Sequence, residues 1–320
     1  MGITKRAFGK SMEGREVFLY EITNKNQVTL TVSDFGATWV HMLVPDKTGG
    51  KRDVVLGYDS AEGYHANPNH FGAVIGRNGN RIGKAKFTID GKDYQLAVND
   101  NQNNLHSGPN WYRTRVWDVK EVNQEKNSVT FEIFSPDGDQ GFPGNFTGSV
   151  TYELTEENQV VLHYQGSADA DTIVNMTNHS YFNLAGQEAG AEAMLNHVVQ
   201  IHAPEYTPVC DAEAIPTGEL ATVKGTPMDF TEPKTIGQDV EADFQQLIFG
   251  GGYDHNYALI RQESIWMYIQ IFRVCSFILV TLLIMSREKA DMCMKSEVAS
   301  VWKPSIIQMP AIRLLSSLLC

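Results

Sequence analysis

Hydrophobic and polar residues alternate along most of this chain, and stretches with helical periodicity are scarce. A period of two is typical of strands, because successive side chains point to opposite faces of a sheet. Val150, Tyr152 and Leu154 alternate in this way, a polar TEENQ turn follows, and the chain returns through Val160–Tyr164. Further strands are predicted over Val28–Val32 and Val129–Phe134.

Turn-forming residues separate the predicted strands. Asp90-Gly91 lies between Phe87–Ile89 and Tyr94–Leu96, and this pair suits the positive φ angles of a type I′ hairpin turn. The sequence contains no phosphate-binding glycine loop, coiled-coil heptad or internal repeat. Many short strands with regular turns indicate an all-β fold, either a large antiparallel sandwich or a barrel.

Composition and charge narrow the class of protein. The 320 residues are 42% hydrophobic and 20% charged, which provides enough apolar material for a core. The net charge of −12 disfavours nucleic acid and anionic membranes as partners, because both are negatively charged. No apolar segment follows the basic N-terminus, and the four cysteines have neither metal-type nor disulfide-type spacing. We therefore expect a cytoplasmic protein.

The composition changes abruptly after Gly252. All 27 glycines lie at or before this residue. At the earlier density roughly seven glycines would be expected in the part that follows. Glu263–Cys320 also loses the acidic bias, with six Lys and Arg against four Asp and Glu. We therefore divide the chain into a β-rich unit over residues 1–260 and an aberrant tail over residues 261–320.

One stretch of the tail, Ile265–Met285, is long and apolar enough to resemble a membrane-spanning helix. Gln270 and Arg273 lie inside it, and a central arginine costs roughly 2.5–3.5 kcal/mol on insertion. A membrane anchor is one interpretation of this stretch.

Four polar segments carry side chains suited to binding a sugar. They are GRNGNRIG with Asn80 and Arg81, NNLHSG with His106, TNHSYFNLAG with His179, and GGGYDHNYAL with Asp254. Amide and guanidinium groups offer several hydrogen bonds to hydroxyls, and glycines let the backbone approach a ligand closely. Taken singly, each segment also fits an ordinary turn or a structural histidine. The spacing of His179, Asp254 and His255 does not indicate a metal site.

Taken together and in order, seven segments resemble the aldose 1-epimerase family: GRNGNRI, NNLHSG, SPDGDQGFPGN, TNHSYFNLAG, IPTGEL, PMDF and GGYDHNY. The resemblance covers about residues 10–260, and SPDGDQGFPGN and NHSYFNLAG are its most specific parts. It implies a large antiparallel β-sandwich of the galactose mutarotase type, without a metal or organic cofactor. It also implies a small aldohexose as the binding partner.

The resemblance assigns roles to the five candidate residues. The family interconverts the α and β anomers of hexoses such as glucose and galactose by opening and closing the ring. His179 matches the general acid that protonates the ring oxygen, while a glutamate takes the proton of the C1 hydroxyl. His106 matches a histidine that hydrogen-bonds the sugar near its ring oxygen. Asn80 and Arg81 match substrate-contacting residues, and Asp254 matches the carboxylate that holds distal hydroxyls.

The general-base glutamate has no match in this chain. The family places it in a segment resembling CLETQYYPDA, after one resembling GVQFYTGNF, and neither occurs here. With freely chosen codons, Met267–Leu282 read one base out of frame gives DVYTDFPGVQFYTGNF, and Met292–Pro310 gives VYEKRSGVCLETQYYPD. The glutamate then spans the codons of Trp302 and Lys303. We interpret the tail as out-of-frame translation that begins near residue 260.

Three functional hypotheses remain open. The first is an aldose 1-epimerase whose C-terminal strands are lost or disordered and whose activity is impaired by the missing base. The second is a catalytically inactive, carbohydrate-binding relative. The third is a membrane-tethered protein anchored by Ile265–Met285. No family motif supports Glu263, Glu288 or Glu297 as a substitute for the base.

Overall fold

Strands dominate the computed structural model, which describes residues 2–260, 265–274, 277–286, 301–302, 307–308 and 312–314. The first five strands are β1 (Gly2–Lys10), β2 (Glu16–Thr23), β3 (Thr29–Ser33), β4 (Trp39–Pro45) and β5 (Lys51–Asp53). They form one antiparallel sheet in chain order. All five residues of β3 are buried, as expected for the central strand of this sheet.

Shorter elements follow the first sheet. They are the helix α1 (Ala61–Ala66) and the strands β6 (Val74–Ile75), β7 (Arg81–Ile82), β8 (Lys86–Ile89), β9 (Lys92–Gln95) and β10 (Asn104–Leu105). The strands β8 and β9 form the predicted hairpin. Asp90 and Gly91 have φ angles of 49° and 77°, as a type I′ turn requires. The Asp-Gly prediction is therefore confirmed in both its position and its turn type.

A second antiparallel sheet packs against the first. Its strands are β11 (Asp118–Asn123), β12 (Ser128–Ser135), β13 (Phe146–Leu154) and β14 (Val160–Ala168). One hydrophobic cluster joins the two sheets, with Leu30 and Trp39 from the first and Phe131 from the second. Val150, Tyr152 and Leu154, predicted to share a face, are completely buried in it. Full burial of such a side chain contributes about 1.5–3 kcal/mol, so the alternating residues hold this sandwich together.

The next region surrounds a second, smaller hydrophobic cluster that includes Met228, Phe230 and Tyr257. Its elements are β15 (Thr172–Ile173), β16 (Thr177–Asn178), β17 (Tyr181–Phe182), α2 (Gly190–Leu195), β18 (Val198–Val199), β19 (Glu205–Thr207), β20 (Ala221–Thr222), β21 (Lys234–Thr235), α3 (Gln245–Gly250) and β22 (His255–Ile260). Single 3-10 turns occur at Gly83–Ala85, Tyr112–Thr114, Asp139–Gly141, Gln187–Ala189 and Ile236–Gln238.

The described parts of the tail form strands. They are β23 (Ile265–Val274), β24 (Phe277–Ser286), β25 (Val301–Trp302), β26 (Ile307–Gln308) and β27 (Ile312–Leu314). A six-stranded sheet has the order β17-β24-β23-β22-β19-β20, while β26 and β27 lie beside β14. The described residues of the tail therefore lie in strands, although the family's own C-terminal segments are absent from this sequence. The tail is rich in β-branched and aromatic residues, which favour strands in any reading frame. The edges of β14, β17 and β22 provide main-chain groups with which these strands can pair.

The apolar stretch Ile265–Met285 belongs to the antiparallel pair β23 and β24. Among the helices in the described ranges, none is long and apolar enough to cross a membrane. Glu263, Glu288 and Glu297 lie outside the described residues. The division of the chain at residue 260 stays a prediction.

Candidate active site

A cleft of about 260 Å³ contains three of the five predicted site residues. Asn80 and Arg81 lie on one wall, and Asp254 lies on another together with His255 and Asn256. The first wall comes from the turn between β6 and β7, and the second comes from the start of β22. The tertiary fold therefore brings together two polar segments that are far apart in the sequence.

The Asn80-Arg81 pair is held in place by local hydrogen bonds. Asn80 has a positive φ of 65°, and its side-chain oxygen accepts the N–H of Arg81 at 2.8 Å. Arg81 Nε donates to Asp100 Oδ2 at 2.7 Å. A guanidinium fixed at one edge by a carboxylate keeps its remaining N–H groups for another acceptor. Asp100 thus fixes the orientation of the Arg81 side chain.

His106 is bonded to the same turn. The N–H of Asn80 donates to His106 Nδ1 at 2.9 Å, and the N–H of His106 donates to the carbonyl oxygen of Asn80 at 3.0 Å. Burial lowers the pKa of His106 well below its ordinary value, with His179 and His70 adding to the effect. The ring is therefore neutral and carries its proton on Nε2, because Nδ1 is an acceptor. The Nε2–H group is therefore a hydrogen-bond donor.

His179 follows β16, and its ring centroid lies 5.1 Å from that of His106. Its backbone joins it to the preceding loop: the N–H of His179 donates to the carbonyl oxygen of Ala73, and its own carbonyl accepts from Gly72. Burial lowers the pKa of His179 to about 4. The imidazole is therefore neutral at pH 7 in this chain.

A third histidine, His70, completes a cluster that the sequence did not reveal. Its ring lies 5.1 Å from the His106 ring and 5.5 Å from the His179 ring. A turn presents it, in which Asn67 accepts the N–H of His70 with its carbonyl and the N–H of Phe71 with its side chain. Burial lowers the pKa of His70 to about 2, helped by His179 and Arg113. The available signal was its position directly before the FGAVIG strand.

Asp254 lies in the second wall of the cleft and also close to Tyr181, two residues after His179. Burial raises the pKa of Tyr181, and the negative charge of Asp254 raises it further, which places this carboxylate near the strand that follows His179. The neighbouring His255 has a structural role. Its Nε2 lies 3.0 Å from Gln246 Oε1, and its Nδ1 accepts the N–H of Asp254 at 3.3 Å. His255 therefore fixes the backbone of the Asp254 loop.

The five sequence-predicted residues thus lie close to one another, and His70, Trp111 and Arg113 border the histidines from outside the cleft. Trp111 and Arg113 come shortly after NNLHSG, but nothing in that spacing indicates that their side chains turn back toward the histidines. In the described part of the chain, no group of three His, Cys, Asp or Glu side chains is arranged to hold a metal ion.

Comparison with a family model and with known relatives gives the same family. The aldose 1-epimerase family model matches residues 19–268. A galactose mutarotase from Bos taurus is 38% identical over 259 residues, which are 81% of this chain and 72% of the relative. An aldose 1-epimerase from Escherichia coli is 39% identical over 247 residues, which are 77% of this chain and 69% of the relative.

Solved structures show the same fold. A galactose 1-epimerase from Lactobacillus acidophilus superposes with a TM-score of 0.79 at 22% identity, covering 97% of this chain and 96% of the other. An aldose epimerase homologue from C. elegans gives a TM-score of 0.77 at 23% identity, covering 92% and 96%. The expected β-sandwich of the galactose mutarotase type is therefore confirmed. The family match over most of the chain shows that it belongs to the aldose 1-epimerase family of isomerases.

Proposed function

We propose that this protein is an aldose 1-epimerase for aldohexoses such as glucose and galactose, and that the recorded tail has been translated out of frame. The observation that carries the proposal is the meeting of Asn80, Arg81, His106, His179 and Asp254 around one site. Four of these side chains carry N–H donors and the fifth is a carboxylate, which suits a polyhydroxylated ligand. We place the reaction in the cytoplasm.

The chemistry divides among these residues. Asp254 accepts hydrogen bonds from distal hydroxyls, while Arg81 and the His106 Nε2–H donate to sugar oxygens. His179 delivers a proton to the ring oxygen as a base removes the proton of the C1 hydroxyl. The C1–O5 bond then breaks to give the aldehyde, C1–C2 rotates, and closure on the other face forms the other anomer. Each positioned acid or base is typically worth about 10²–10⁴-fold in rate.

The acid and the missing base depend on each other. With a pKa of about 4, His179 is almost entirely the neutral imidazole at pH 7, and the imidazolium that would protonate the ring oxygen is scarce. A carboxylate within a few ångströms favours the charged imidazole and raises its pKa. Of the carboxylates already placed at the cleft, Asp100 is paired with Arg81, and Asp254 is assigned to distal hydroxyls. Loss of the glutamate segment therefore removes the base and also a negative charge that would raise the pKa of His179.

The extent of the family match supports the out-of-frame tail. The family model ends at residue 268, close to the place where glycine disappears. The alignment with the bovine relative leaves 28% of that relative unmatched, since it covers 72%. The strands of the tail are compatible with this proposal, because an out-of-frame apolar sequence still has high strand propensity.

Polarimetry on α-glucose tests the proposal with two proteins: the present chain, and a chain whose tail is restored by one base so that it contains the CLETQ segment. We expect the restored chain to be at least about 10²-fold more active, the effect of one general base. Comparable turnover by the present chain would contradict the missing-base argument. Sequencing the gene from the Tyr253 codon onward shows which of the two chains the gene encodes.

A catalytically inactive sugar-binding protein is the second candidate. It is favoured by the retention of Arg81, His106 and Asp254, all of which contact the ligand and perform no proton transfer in the proposed mechanism. Galactose binding by the restored chain without anomerisation would support this candidate over the first.

A further inference from the structure

Three neighbouring residues at the edge of the histidine cluster contain buried nitrogen atoms that have no hydrogen-bond partner among the described residues. These residues, His70, Trp111 and Arg113, are called the donor cluster below. The atoms are His70 Nδ1, Trp111 Nε1 and both Nε and Nη1 of Arg113. His70 is 9% exposed and Arg113 is 7% exposed. More than nine in ten buried polar groups in proteins are paired, so four unpaired nitrogens in one place need a physical reason.

The donor cluster adjoins the proposed reaction site. The Arg113 guanidinium carbon lies 4.4 Å from the Trp111 ring centroid, and this ring lies 5.7 Å from that of His70. His70 in turn contacts His106 and His179. The positive charge of Arg113 also contributes to the low pKa values of His70 and His106, which confirms that the guanidinium is near both rings.

Arg113 differs from the other buried or half-buried arginines of the described residues. Arg81 is paired with Asp100, and Arg115 makes two hydrogen bonds to Asp139. Arg77 donates to main-chain carbonyls and to the hydroxyls of Ser135 and Thr172. Arg113 forms no ion pair within the described ranges, although its guanidinium stays charged at neutral pH. Burial of an uncompensated charge is costly and calls for a negative partner.

The charge and the N–H groups of the donor cluster indicate which chemical group it would bind. A sugar hydroxyl could accept one hydrogen bond but would leave the charge of Arg113 uncompensated. A carboxylate or phosphate group accepts several hydrogen bonds, matches the planar fork of a guanidinium and neutralises its charge. The missing partner is therefore an anionic group.

We propose that the site accepts an aldose bearing a carboxylate or phosphate group, and that Arg113, assisted by Trp111 and His70, binds this group. The inference rests on the proposed function, since it takes His106 and His179 as the residues at the ring oxygen. In an aldopyranose the ring oxygen is bonded only to C1 and C5. The substituent nearest these histidines, apart from the reacting C1, is therefore C6. A hexuronate or a hexose 6-phosphate carries its charge there.

Isothermal titration calorimetry on the full chain tests the proposal with four ligands: D-glucose, D-glucuronate, its neutral analogue D-glucuronamide, and D-glucose 6-phosphate. We expect at least one anionic sugar to bind at least about tenfold more tightly than glucose, the usual effect of a charge-assisted hydrogen bond. Glucuronate and the phosphate ester distinguish the two anionic groups. Glucuronamide should bind like glucose, because it has the size of glucuronate without the charge.

Arg113→Gln should abolish the preference for the anion and leave glucose affinity within about twofold, whereas Arg52→Gln at an exposed arginine should change neither. Arg113→Lys, which keeps the charge but loses the fork, should retain part of the preference. Loss of glucose binding in Arg113→Gln would indicate a structural role and contradict the proposal.

The wild-type comparison is decisive even if both variants fail to fold. Glucose binding without preference for glucuronate over glucuronamide, or for the phosphate ester over glucose, would overturn this inference alone. Failure of the frame-restored chain to bind any of the four sugars would overturn the proposed function as well.

Discussion

At the residue scale, the central feature is a group of three histidines kept neutral by burial. The rings of His70, His106 and His179 lie 5.1–5.5 Å apart, so protonation of one would place a charge against two others in a dry environment. Desolvation is the largest cause of the lowered pKa for all three. A general acid in such surroundings needs a negative partner to hold its proton. Under the proposed function, the glutamate that the family places near the C-terminus would stabilise the charged form of His179.

The pKa of His179 can be measured in both forms of the chain. In the present chain we expect the imidazole to stay neutral until the pH falls to about 4. Restoring the glutamate should raise the pKa by one unit or more, because a nearby carboxylate stabilises the imidazolium. Two-dimensional NMR of the imidazole nitrogens during a pH titration gives both values, and His179→Gln identifies the signal. Equal pKa values in the two chains would show that the acid and base are not coupled.

At the element scale, the site depends on the loop that joins α1 to β6. The N–H of Gly72 donates to the carbonyl of His179, and the carbonyl of Gly72 accepts from the N–H of Trp39 and the side chain of Asn178. The pairing of β6 with β16 continues this connection, since Val74 lies opposite Asn178. The position of the histidines is therefore fixed by main-chain contacts between the first sheet and the strand before His179.

Gly72→Ala tests this arrangement. Gly72 has a φ of +66°, and an added Cβ would lie 1.9 Å from the carbonyl oxygen of Trp39, so the backbone must shift. We expect unfolding free energy to fall by roughly 2–4 kcal/mol, measured by urea denaturation, together with weaker sugar binding. Gly91→Ala is the matched control, with a φ of +77° and open space around the added Cβ. It should cost only about 1 kcal/mol and leave sugar binding unchanged.

Equal losses of stability in Gly72→Ala and Gly91→Ala would show that the positive φ alone matters. The proposed tight contact between Gly72 and Trp39 would then be incorrect.

At the scale of the whole molecule, buried titratable groups make stability depend on pH. His70, His179 and His255 have pKa values of about 2, 4 and 4, below the ordinary value of 6.5, because all three are buried. The unfolded chain therefore binds more protons between pH 6.5 and pH 4, and the stability present above pH 6.5 is lost as the pH falls. Asp34 acts in the opposite direction, because burial raises its pKa from 3.8 to about 6.

Urea unfolding at pH 7 and pH 5 measures this balance. The pKa of His106 is also lowered by burial, so four histidines oppose one aspartate. We therefore expect the unfolding free energy to be lower at pH 5 by an amount on the order of a few kcal/mol. His70→Phe should reduce this difference, because it removes one of the four histidines while keeping an aromatic ring. Greater stability at pH 5 than at pH 7 would mean that the histidines are not buried as described.

The tail differs from the rest of the chain in sequence, but its described strands pair with the rest of the fold. Its composition and the end of the family match set it apart from the rest of the chain, yet β23 and β24 complete a sheet with β17 and β22. Strand pairing uses main-chain groups that every residue type possesses, whereas a reacting carboxylate needs one side chain at one position. A tail translated out of frame, as we propose, can therefore form strands without carrying the reacting carboxylate.

The sequence by itself determined the strands of the sandwich, the hairpin at Asp90-Gly91 and the motifs that hold Asn80, Arg81, His106, His179 and Asp254. These features are local, because strand periodicity and turn chemistry depend on neighbouring residues. Only the tertiary structure decided that His70 joins the other histidines and that Arg113 is buried without an ion pair to any described residue. It also decided that the described strands of the tail pair with open sheet edges. Burial and strand pairing depend on contacts between segments that are distant in the sequence. A local sequence pattern therefore does not show which side chains these contacts bury.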